Sequence, residues 1–408
     1  MDVKKMKIIK GGVTAPKGFL ASGVYCGLKK AKMDLALIYS ETKCDAAAAY
    51  TTNLVKGQPI QVTAEHLENG KAQAVIVNSG NANTCTGEEG KQKAFQMAGF
   101  IATETGIDKT DVIVASTGVI GVQLPIEKVE AGVPELVAKM SKEGHVDASN
   151  AILTTDTRVK EIAITIIIDE KEITIGGMAK GSGMIEPNMA TMLSFLTTDV
   201  NMDSALLKEA LLTTVAKSYN RISVDGDTST NDMVSILANG QGGNSRITTK
   251  DEGYKIFLEA LQYLNIYLAK EIARDGEGAT KLIECQVEEA KSEEDAGKLA
   301  KSVIASSLVK TAIFGADANW GRILCALGYA GVEIDVDQVD IDIKSSAGTV
   351  TVCTGGKGAD FDEVLAKEIL ICDEIKIMVK LNAGDSSAIA WGCDLSYDYI
   401  KINGDYRT

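Results

Sequence analysis

A hydroxyl residue, Thr191, interrupts the apolar run MATML (189–193) in the segment GSGMIEPNMATMLSF (181–195). Threonine hydroxyls in apolar runs usually bond to a backbone carbonyl and have no chemical role. Here, however, glycines and a proline precede the threonine, and its neighbour Ala190 is small. A threonine with a free α-amino group also carries its own base, because that amine titrates near ~8. Freeing it requires a cut between Ala190 and Thr191, so the segment suggests a self-made N-terminal nucleophile.

The two histidines of the chain do not suggest a catalytic base. His66 in QVTAEHLENG and His145 in SKEGHVDASN both occur in polar, turn-like sequence, which predicts solvated side chains. Neither has a ligand neighbour at zinc spacing, so no metal site is predicted. An enzyme of acyl groups built on this chain would therefore use a base other than histidine.

The motif STGVIG (116–121) follows a predicted strand at 111–115. Its Thr117 hydroxyl and Gly118 amide are adjacent and can point at one oxygen, which is the geometry of an oxyanion hole. A strand-end turn that serves only the backbone is the alternative. The motif alone favours that alternative.

The stretch VDGDTSTND (224–232) contains three carboxylates and several hydroxyls, which invites comparison with a calcium loop. Counted from Asp225, the template needs glycine at position 6 and glutamate at position 12. The chain has Thr230 and Ile236 there. A structural polar loop is therefore expected rather than a metal site.

Composition and charge argue against several classes of protein. The net charge of −14 does not suit a duplex-DNA binder, which needs a basic face. The N-terminus lacks the apolar core of a secretory signal, and no apolar run approaches the ~20 residues of a membrane span. The eight cysteines are scattered without C-x-x-C pairs, as is typical of reduced thiols. A cytoplasmic protein with neither nucleic-acid nor membrane partners is predicted.

The elements that would position these residues follow an α/β pattern in the first two thirds of the chain. Short β-branched runs alternate with helical periodicity, which predicts layered sheets and helices. The predicted strands lie at 74–78, 111–115 and 161–168, and the predicted helices begin near Glu89 and cover 203–217 and 256–274.

The last third predicts a second domain, because alternating patterns there indicate a sheet with one wet face. We place the domains at 1–281 and 282–408, with the C-terminal tail returning to the first. The predicted elements are a helix at 291–309, strands at 332–337, 339–343, 375–381 and 387–402, and a hairpin turn at 355–358.

The sequence PNMATML, preceded by GGMAKGSGM, resembles the autoprocessing site of the ornithine acetyltransferase family, also called glutamate N-acetyltransferases or bifunctional arginine-biosynthesis enzymes. Further blocks occur in the family's order across nearly the whole chain. They are GGVTAPKGFLASGVYCGLK (11–29), NSGNANTCTG (78–87), STGVIG (116–121), TTDT (154–157), GGMAKGSGMIEPNMATML (176–193), SVDGDTSTND (223–232) and DANWGRI (317–323). The chain departs at Ala318, where the family usually has proline.

The resemblance implies a layered αββα main domain of the N-terminal-nucleophile type and a smaller α+β C-terminal domain. It also implies self-cleavage between Ala190 and Thr191. The resulting α chain (1–190) and β chain (191–408) would remain together, as a dimer of such pairs.

By the same resemblance, Thr191 takes the acetyl group of N2-acetylornithine and passes it to glutamate, while Thr117 and Gly118 stabilise the oxyanion. No cofactor or metal is implied, although some members also use acetyl-CoA as a co-substrate. The implied substrate-binding residues are Thr154, Lys180, Thr191, Glu277, Asn403 and Thr408.

Two alternatives stay open at the level of the sequence. An N-terminal-nucleophile aminopeptidase or amidase would pass the acyl group to water, and glutamate-dependent turnover would discriminate it. A non-catalytic amino-acid-binding protein of this fold would remain one uncut chain. The family blocks favour the transferase over both.

Overall fold

The computed structural model describes residues 6–186 and 192–405. Its strands are β1 (Lys7–Ile9), β2 (Phe19–Val24), β3 (Leu35–Tyr50), β4 (Lys71–Asn78), β5 (Val112–Ser116), β6 (Lys160–Ile168), β7 (Lys171–Lys180), β8 (Leu193–Thr198), β9 (Ile222–Ser223), β10 (Met233–Ala238), β11 (Leu282–Ala290), β12 (Asp340–Ser345), β13 (Gly348–Thr354), β14 (Lys357–Gly358), β15 (Glu374–Lys380) and β16 (Ser386–Cys393). Its α-helices are α1 (Gln58–His66), α2 (Gly87–Thr105), α3 (Ile126–Ala138), α4 (His145–Ala151), α5 (Ser204–Ala216), α6 (Glu252–Arg274), α7 (Glu293–Ala305), α8 (Ser307–Phe314), α9 (Trp320–Gly328), α10 (Glu363–Leu370) and α11 (Tyr397–Asp405).

The first sheet has nine strands in the order β1-β6-β7-β8-β10-β3-β4-β5, with β2 also paired to β3. Strand β3 is long enough to pair with different strands along its length, and it thereby divides this sheet into two parts. Its first part pairs with β2 and β4, and its second part, from Asp45 to Tyr50, pairs with β10. The register with β4 shifts between Tyr39 and Cys44. Such an irregularity bends a strand, and here it separates the two parts of the sheet.

The two parts of this sheet share one apolar core, in which Ile38 and Val75 from one part meet Phe195 and Met233 from the other. Helices α2 and α3 pack on the outer face of the first part through a second core. Helices α5 and α6 cover the outer face of the other part through a third. The layered αββα architecture predicted from the sequence is therefore confirmed.

The second sheet has seven strands in the order β14-β13-β12-β15-β11-β16-β9. Helices α7 to α10 contribute to its apolar core. Strand β11 begins at Leu282, yet the short strand β9, from earlier in the chain, pairs with β16. The boundary between 281 and 282 stays a prediction, because the second sheet takes a strand from each side of it.

Three predictions for the last third were wrong in type or extent. The single helix predicted at 291–309 is two helices, because Ser306 adopts an extended conformation and caps α8. The strand predicted at 332–337 is not formed, and a 3-10 turn at Val336–Gln338 is capped by Asp335 instead. The strand predicted at 387–402 ends at Cys393, and helix α11 follows it. In the first two cases a capping side chain, Ser306 or Asp335, determined the local structure although the apolar pattern predicted otherwise.

The other predicted elements are present, with shifts of a few residues at their ends. Within the turn predicted at 355–358, Gly355 and Gly356 join β13 to β14, and both have positive φ, as a tight hairpin requires. Within the described residues, no helix combines the length and apolar character needed to cross a bilayer.

Glu284 of β11 joins the second sheet to helix α6. Its carboxylate accepts hydrogen bonds from Trp391 Nε1 (2.9 Å) and from Lys270 of α6 (3.1 Å), and it pairs with Lys376 (2.8 Å). Burial alone would raise the pKa of Glu284, but the hydrogen bonds and cations lower it below its ordinary value. This contribution to stability is therefore complete at neutral pH and is lost as the pH falls through the folded-state pKa.

We expect Glu284→Gln to lower the free energy of unfolding by about 2 kcal/mol at neutral pH, because Trp391, Lys270 and Lys376 lose the charged carboxylate that they contact. At a pH below the folded-state pKa the wild-type group is protonated too, so the difference should shrink. Thermal unfolding at neutral pH and at such an acid pH measures this, with the exposed Glu294→Gln of α7 as the control. A deficit of equal size at both pH values would contradict the electrostatic explanation.

Candidate active site

A cleft in the first domain brings six of the predicted site residues together. Its lining includes Thr117, Gly118, Thr154, Lys180, Glu277 and Asn403. Met192, the residue that follows Thr191 in the chain, also lines the cleft. Ala190, Thr191 and Thr408 lie outside the described residues. The residues implied by resemblance, although up to 286 positions apart (117 to 403), thus surround the place where the chain enters β8.

Gly118 adopts a backbone conformation that favours glycine, with φ of +131°. A Cβ atom on Gly118 would also lie 2.7 Å from the carbonyl carbon of Gly80, which leaves no room for a side chain. Its N–H donates no hydrogen bond within the described part of the chain. The motif STGVIG therefore presents a free amide to the cleft, beside the hydroxyl of Thr117.

Lys180 lies at the end of β7, directly opposite Leu193 of β8. Its Nζ donates to Thr117 Oγ1 at 3.5 Å. Because the Thr117 oxygen accepts this bond, its own proton stays available for a second oxygen in the cleft. Burial lowers the pKa of Lys180, although Asp156 and Glu277 oppose that shift.

Asn231 holds the loop that carries Thr117 and Gly118. Its Nδ2 donates to Ala82 O (2.6 Å) and to Ser116 O (3.0 Å). Its Oδ1 accepts from Thr84 Oγ1 at 2.6 Å. The buried side-chain amide of Asn231 therefore ties the asparagine-rich loop 78–87 to the end of β5, directly before Thr117. These hydrogen bonds hold the two segments in place relative to each other.

A buried lysine, Lys160, lies between two buried carboxylates beneath the cleft. Its Nζ is 2.7 Å from Asp156 Oδ1 and 2.6 Å from Asp275 Oδ2, and its side chain is fully inaccessible. Burial would raise the pKa of Asp156, but the cations of Lys180 and Lys160 outweigh burial and hold the pKa well below its usual range. Asp156 is therefore ionised at neutral pH.

The two aspartates of this ion triad also position cleft residues, Asp156 through its carboxylate and Asp275 through its backbone carbonyl. Asp156 accepts the N–H of Thr154 (3.0 Å) and the N–H of Gly181, next to Lys180 (2.7 Å). The carbonyl of Asp275 accepts Ser182 Oγ at 2.7 Å. Two residues further on is Glu277, whose N–H donates to Ser182 O (2.9 Å). The triad therefore fixes three cleft segments relative to one another.

The C-terminal helix α11 closes one side of the cleft. Asn403 Nδ2 donates to Glu277 Oε2 at 2.8 Å. Tyr399 OH donates to Asp225 Oδ2 at 3.2 Å, and Ser396 Oγ donates to Gly278 O at 2.5 Å. The C-terminal segment thus returns to the first domain and orients the Glu277 carboxylate.

The acidic loop 223–232 contacts the chain on both sides of residues 187–191. Upstream, Asp225 accepts the N–H groups of Met184 (2.6 Å) and Ile185 (2.7 Å). Downstream, the N–H of Met233, directly after the loop, donates to Met192 O at 3.0 Å. The loop is therefore the structural polar loop expected from the sequence. It determines where the chain enters and leaves the segment of the predicted cut.

Both histidines differ from the solvated side chains predicted for them. His66 ends α1 but is buried, with its Nδ1 2.8 Å from Val112 O. His145 is half-buried, with its Nδ1 2.9 Å from Glu161 Oε2. Neither ring lines the cleft, so neither serves as a base there.

Several cleft residues were missed by sequence reasoning. Lys160 begins a β-branched strand and reads as a solvent-facing charge, while Asn231 and Asp232 were assigned only to a structural loop. The available signal was the pairing of a lysine with an aspartate four residues earlier in TTDTRVK, which brings opposite charges near each other.

The chemistry available in the cleft is electrostatic. A hydroxyl and a free amide can stabilise an oxyanion, a buried lysine can hold a carboxylate, and a half-paired glutamate can hold an ammonium group. This combination suits acyl transfer to or from a zwitterionic amino acid.

Comparison with known proteins gives a family match. The model of the ArgJ family matches residues 20–408. The arginine biosynthesis bifunctional protein ArgJ of Caldanaerobacter subterraneus is 54% identical over 99% of this chain and 100% of that protein. A crystal structure of the bifunctional ArgJ protein from Bacillus halodurans is 48% identical with a TM-score of 0.51, and it covers 53% of this chain and 100% of its own. The ornithine acetyltransferase of Mycobacterium tuberculosis, crystallised with ornithine, is 37% identical with a TM-score of 0.42, over 45% of this chain and 100% of its own.

We expect Lys160→Met to lower the free energy of unfolding by about 3–5 kcal/mol, because it removes the buried cation that both carboxylates contact directly. Denaturant unfolding followed by circular dichroism measures the loss. The exposed lysine of the surface pair Lys139–Glu135 supplies the control, since Lys139→Met should cost less than about 1 kcal/mol. Equal, small losses for both variants would show that the triad does not hold the cleft together.

Proposed function

The chain belongs to the ArgJ family, and from that premise we propose that it moves the acetyl group of N2-acetylornithine to glutamate in arginine biosynthesis. It is thus an ornithine acetyltransferase, or glutamate N-acetyltransferase. The observation that carries the assignment is the cleft at the start of β8. There the Thr117 hydroxyl, the free amide of Gly118, Lys180 and Glu277 surround the residue that follows Thr191.

The active enzyme, in this proposal, is cut between Ala190 and Thr191. The Thr191 hydroxyl attacks the Ala190 carbonyl, the acyl group shifts from nitrogen to oxygen, and water hydrolyses the ester. One comparison supports this cut. The Bacillus halodurans chain is matched along its full length yet covers 53% of this chain. Residues 191–408 number 218 of 408, which is also 53%.

The transfer then has two halves that share an acetyl-Thr191 ester. The Thr191 hydroxyl attacks the acetyl carbonyl of N2-acetylornithine, with its own α-amino group as the base, and ornithine leaves. The amine of glutamate attacks the ester and departs as N-acetylglutamate. In each half a tetrahedral oxyanion forms, and Thr117 Oγ1 and the Gly118 N–H donate to it.

Substrate binding follows from the charges of the cleft. Ornithine and glutamate share an α-carboxylate, which Lys180 is placed to hold with help from Thr154. The Glu277 carboxylate, held by Asn403, pairs with the side-chain ammonium of ornithine. Thr408, from the C-terminal tail, completes the binding site in this proposal.

Further properties belong to the same proposal. The α and β chains stay together as an α2β2 assembly in the cytoplasm, without a metal or cofactor. The relatives are named bifunctional, and we infer that this chain also accepts acetyl-CoA as a co-substrate for the acetylation of glutamate.

The aminopeptidase or amidase alternative differs only in the acceptor of the acyl group, which would be water. A cleft that holds both a buried lysine and a glutamate suits a zwitterionic acceptor better. Deacetylation of N2-acetylornithine that needs glutamate identifies the transferase. Deacetylation at the same rate without glutamate would identify the hydrolase.

We expect mass spectrometry of the purified, denatured protein to show two chains. Their masses should match residues 1–190 and residues 191–408. The second chain should begin Thr-Met-Leu-Ser-Phe on N-terminal sequencing. Thr191→Ala should give one chain of 43 kDa without transfer activity, because it lacks the hydroxyl for both steps. A cut and active Thr191→Ala protein would exclude Thr191 as the nucleophile.

Thr117→Val keeps the shape of the side chain but removes the hydroxyl. We expect kcat to fall by about 10²–10³ with little change in KM, since the hydroxyl donates to the oxyanion of the transition state. Cleavage at residue 190 should slow as well, because it passes through a similar oxyanion. Thr117→Ser is the control and should retain most of the rate. If Thr117→Val transfers acetyl groups within about twofold of the wild type, the hydroxyl has no such role.

A further inference from the structure

Asp232 is a carboxylic residue of the cleft that the reaction above does not use. It lies directly before β10, it is 2% exposed, and it lines the cleft. Its Oδ2 is buried and has no hydrogen-bond partner among the described residues. Because an unsatisfied buried carboxyl oxygen is costly, it indicates a partner that the described residues do not supply.

The position of Asp232 next to the predicted cut follows from the pairing of β8 with β10. These strands run parallel, with Met233 opposite Leu193. The N–H of Met192 donates to the Asp232 carboxyl group. Three covalent bonds separate the nitrogen of residue 191 from that of Met192, a span of less than about 4 Å in any conformation. The carboxyl group is therefore anchored one residue from the threonine nitrogen.

The surroundings of Asp232 determine its charge in the uncut chain. Burial raises the pKa of Asp232 well above its ordinary value, while hydrogen bonds from Ser229 and Met192 and the cation of Lys180 oppose this only in part. The other charged side chains that line the cleft are Lys180, from β7, and Glu277, from the segment after α6. Before cleavage the residue-191 nitrogen is an uncharged amide, so it adds no cation that would oppose the rise in the pKa of Asp232.

We propose that Asp232 gives its proton to the nitrogen of residue 191 during self-cleavage and then remains as the counter-charge of the new α-ammonium group. This inference rests on the cleavage proposed above. As the Thr191 oxygen bonds to the Ala190 carbonyl carbon, the carbon–nitrogen bond breaks. The freed nitrogen keeps its own hydrogen, takes the hydroxyl hydrogen and takes the Asp232 proton. The products are an ester, an ammonium group and a carboxylate.

The same carboxylate then acts in each round of transfer as a positioning group. The neutral α-amine takes the hydroxyl proton as Thr191 attacks, and the resulting ammonium pairs with Asp232 until it protonates the departing amine. An opposite charge nearby favours the charged form, so Asp232 raises the pKa of the α-amine. Without that carboxylate, the pKa of the amine falls and the acid limb of the pH profile moves to lower pH.

The first test compares Asp232→Asn with the wild type and with Asp199→Asn. Asp199, at the other end of β8, is also a buried aspartate whose pKa is raised by burial. The intact mass, followed over time, gives the rate of cleavage. The dependence of kcat on pH, measured for the cleaved fraction, gives the position of the acid limb of the pH profile. We expect Asp232→Asn to cleave at least about tenfold more slowly and its acid limb to lie about one pH unit lower. Asp199→Asn should change neither quantity.

A second variant separates chemistry from folding. Asp232→Ala leaves a space that admits formate, a small carboxylic acid. We expect formate, but not chloride at equal ionic strength, to restore at least about tenfold in the cleavage rate, since a proton donor returns to the cavity. A merely structural role for Asp232 gives no such rescue.

The outcomes distinguish this inference from the function on which it rests. If the wild type remains uncut, or its second chain does not begin at Thr191, the proposed function fails first. If the wild type cleaves and transfers as proposed, two results overturn the role of Asp232. They are an Asp232→Asn protein with wild-type cleavage and an unmoved acid limb, and an Asp232→Ala protein that formate does not rescue.

Discussion

The ion triad of Lys160 with Asp156 and Asp275 is the interaction on which the cleft depends. Burying the ammonium group of a lysine is costly, because the group loses its hydration. A single carboxylate would replace that hydration on only one side of the group. With two carboxylates, the oxygens of Asp156 also accept the N–H groups of Thr154 and Gly181, and those of Asp275 accept the N–H and hydroxyl of Thr157. Thr154 and Gly181 therefore take their positions from the triad directly. This is a network that specifies geometry rather than one that adds stability.

A second constraint acts on the backbone around the predicted cut. The chain enters through residues 184–186 and leaves through Met192, and the acidic loop 223–232 bonds to both sides. A peptide bond that must be attacked by its own neighbouring hydroxyl needs fixed ends, because a free segment would relax away from the attacking geometry. The same pairing of β8 with β10 that fixes the downstream end also carries Asp232 to the cleft.

The sequence predicts the layered architecture from local patterns, because the spacing of apolar residues indicates strands and helices. The oxyanion role of Thr117 and Gly118 came from family resemblance, since the motif alone favours a strand-end turn. Glu277 and Asn403 came only from family resemblance, since 126 residues separate this hydrogen-bonded pair and no local pattern predicts such a contact. Lys160 was missed for a related reason. Its burial depends on Asp275, which joins it only after α6 has packed on β6.

The charges of the cleft suit a site that performs both the proposed cleavage and the proposed transfer. In that proposal Asp232 is protonated in the uncut chain and needs no counter-charge, while Lys180 and Glu277 line the same cleft. Transfer of its proton to the freed amine creates an ammonium group and a carboxylate together, so the net charge of the buried site does not change. No ion has to enter or leave a region of low dielectric, where an unpaired charge would be expensive. In the proposed mechanism the newly formed amine is thus held as a paired cation until substrate binding and attack by Thr191 require its neutral form.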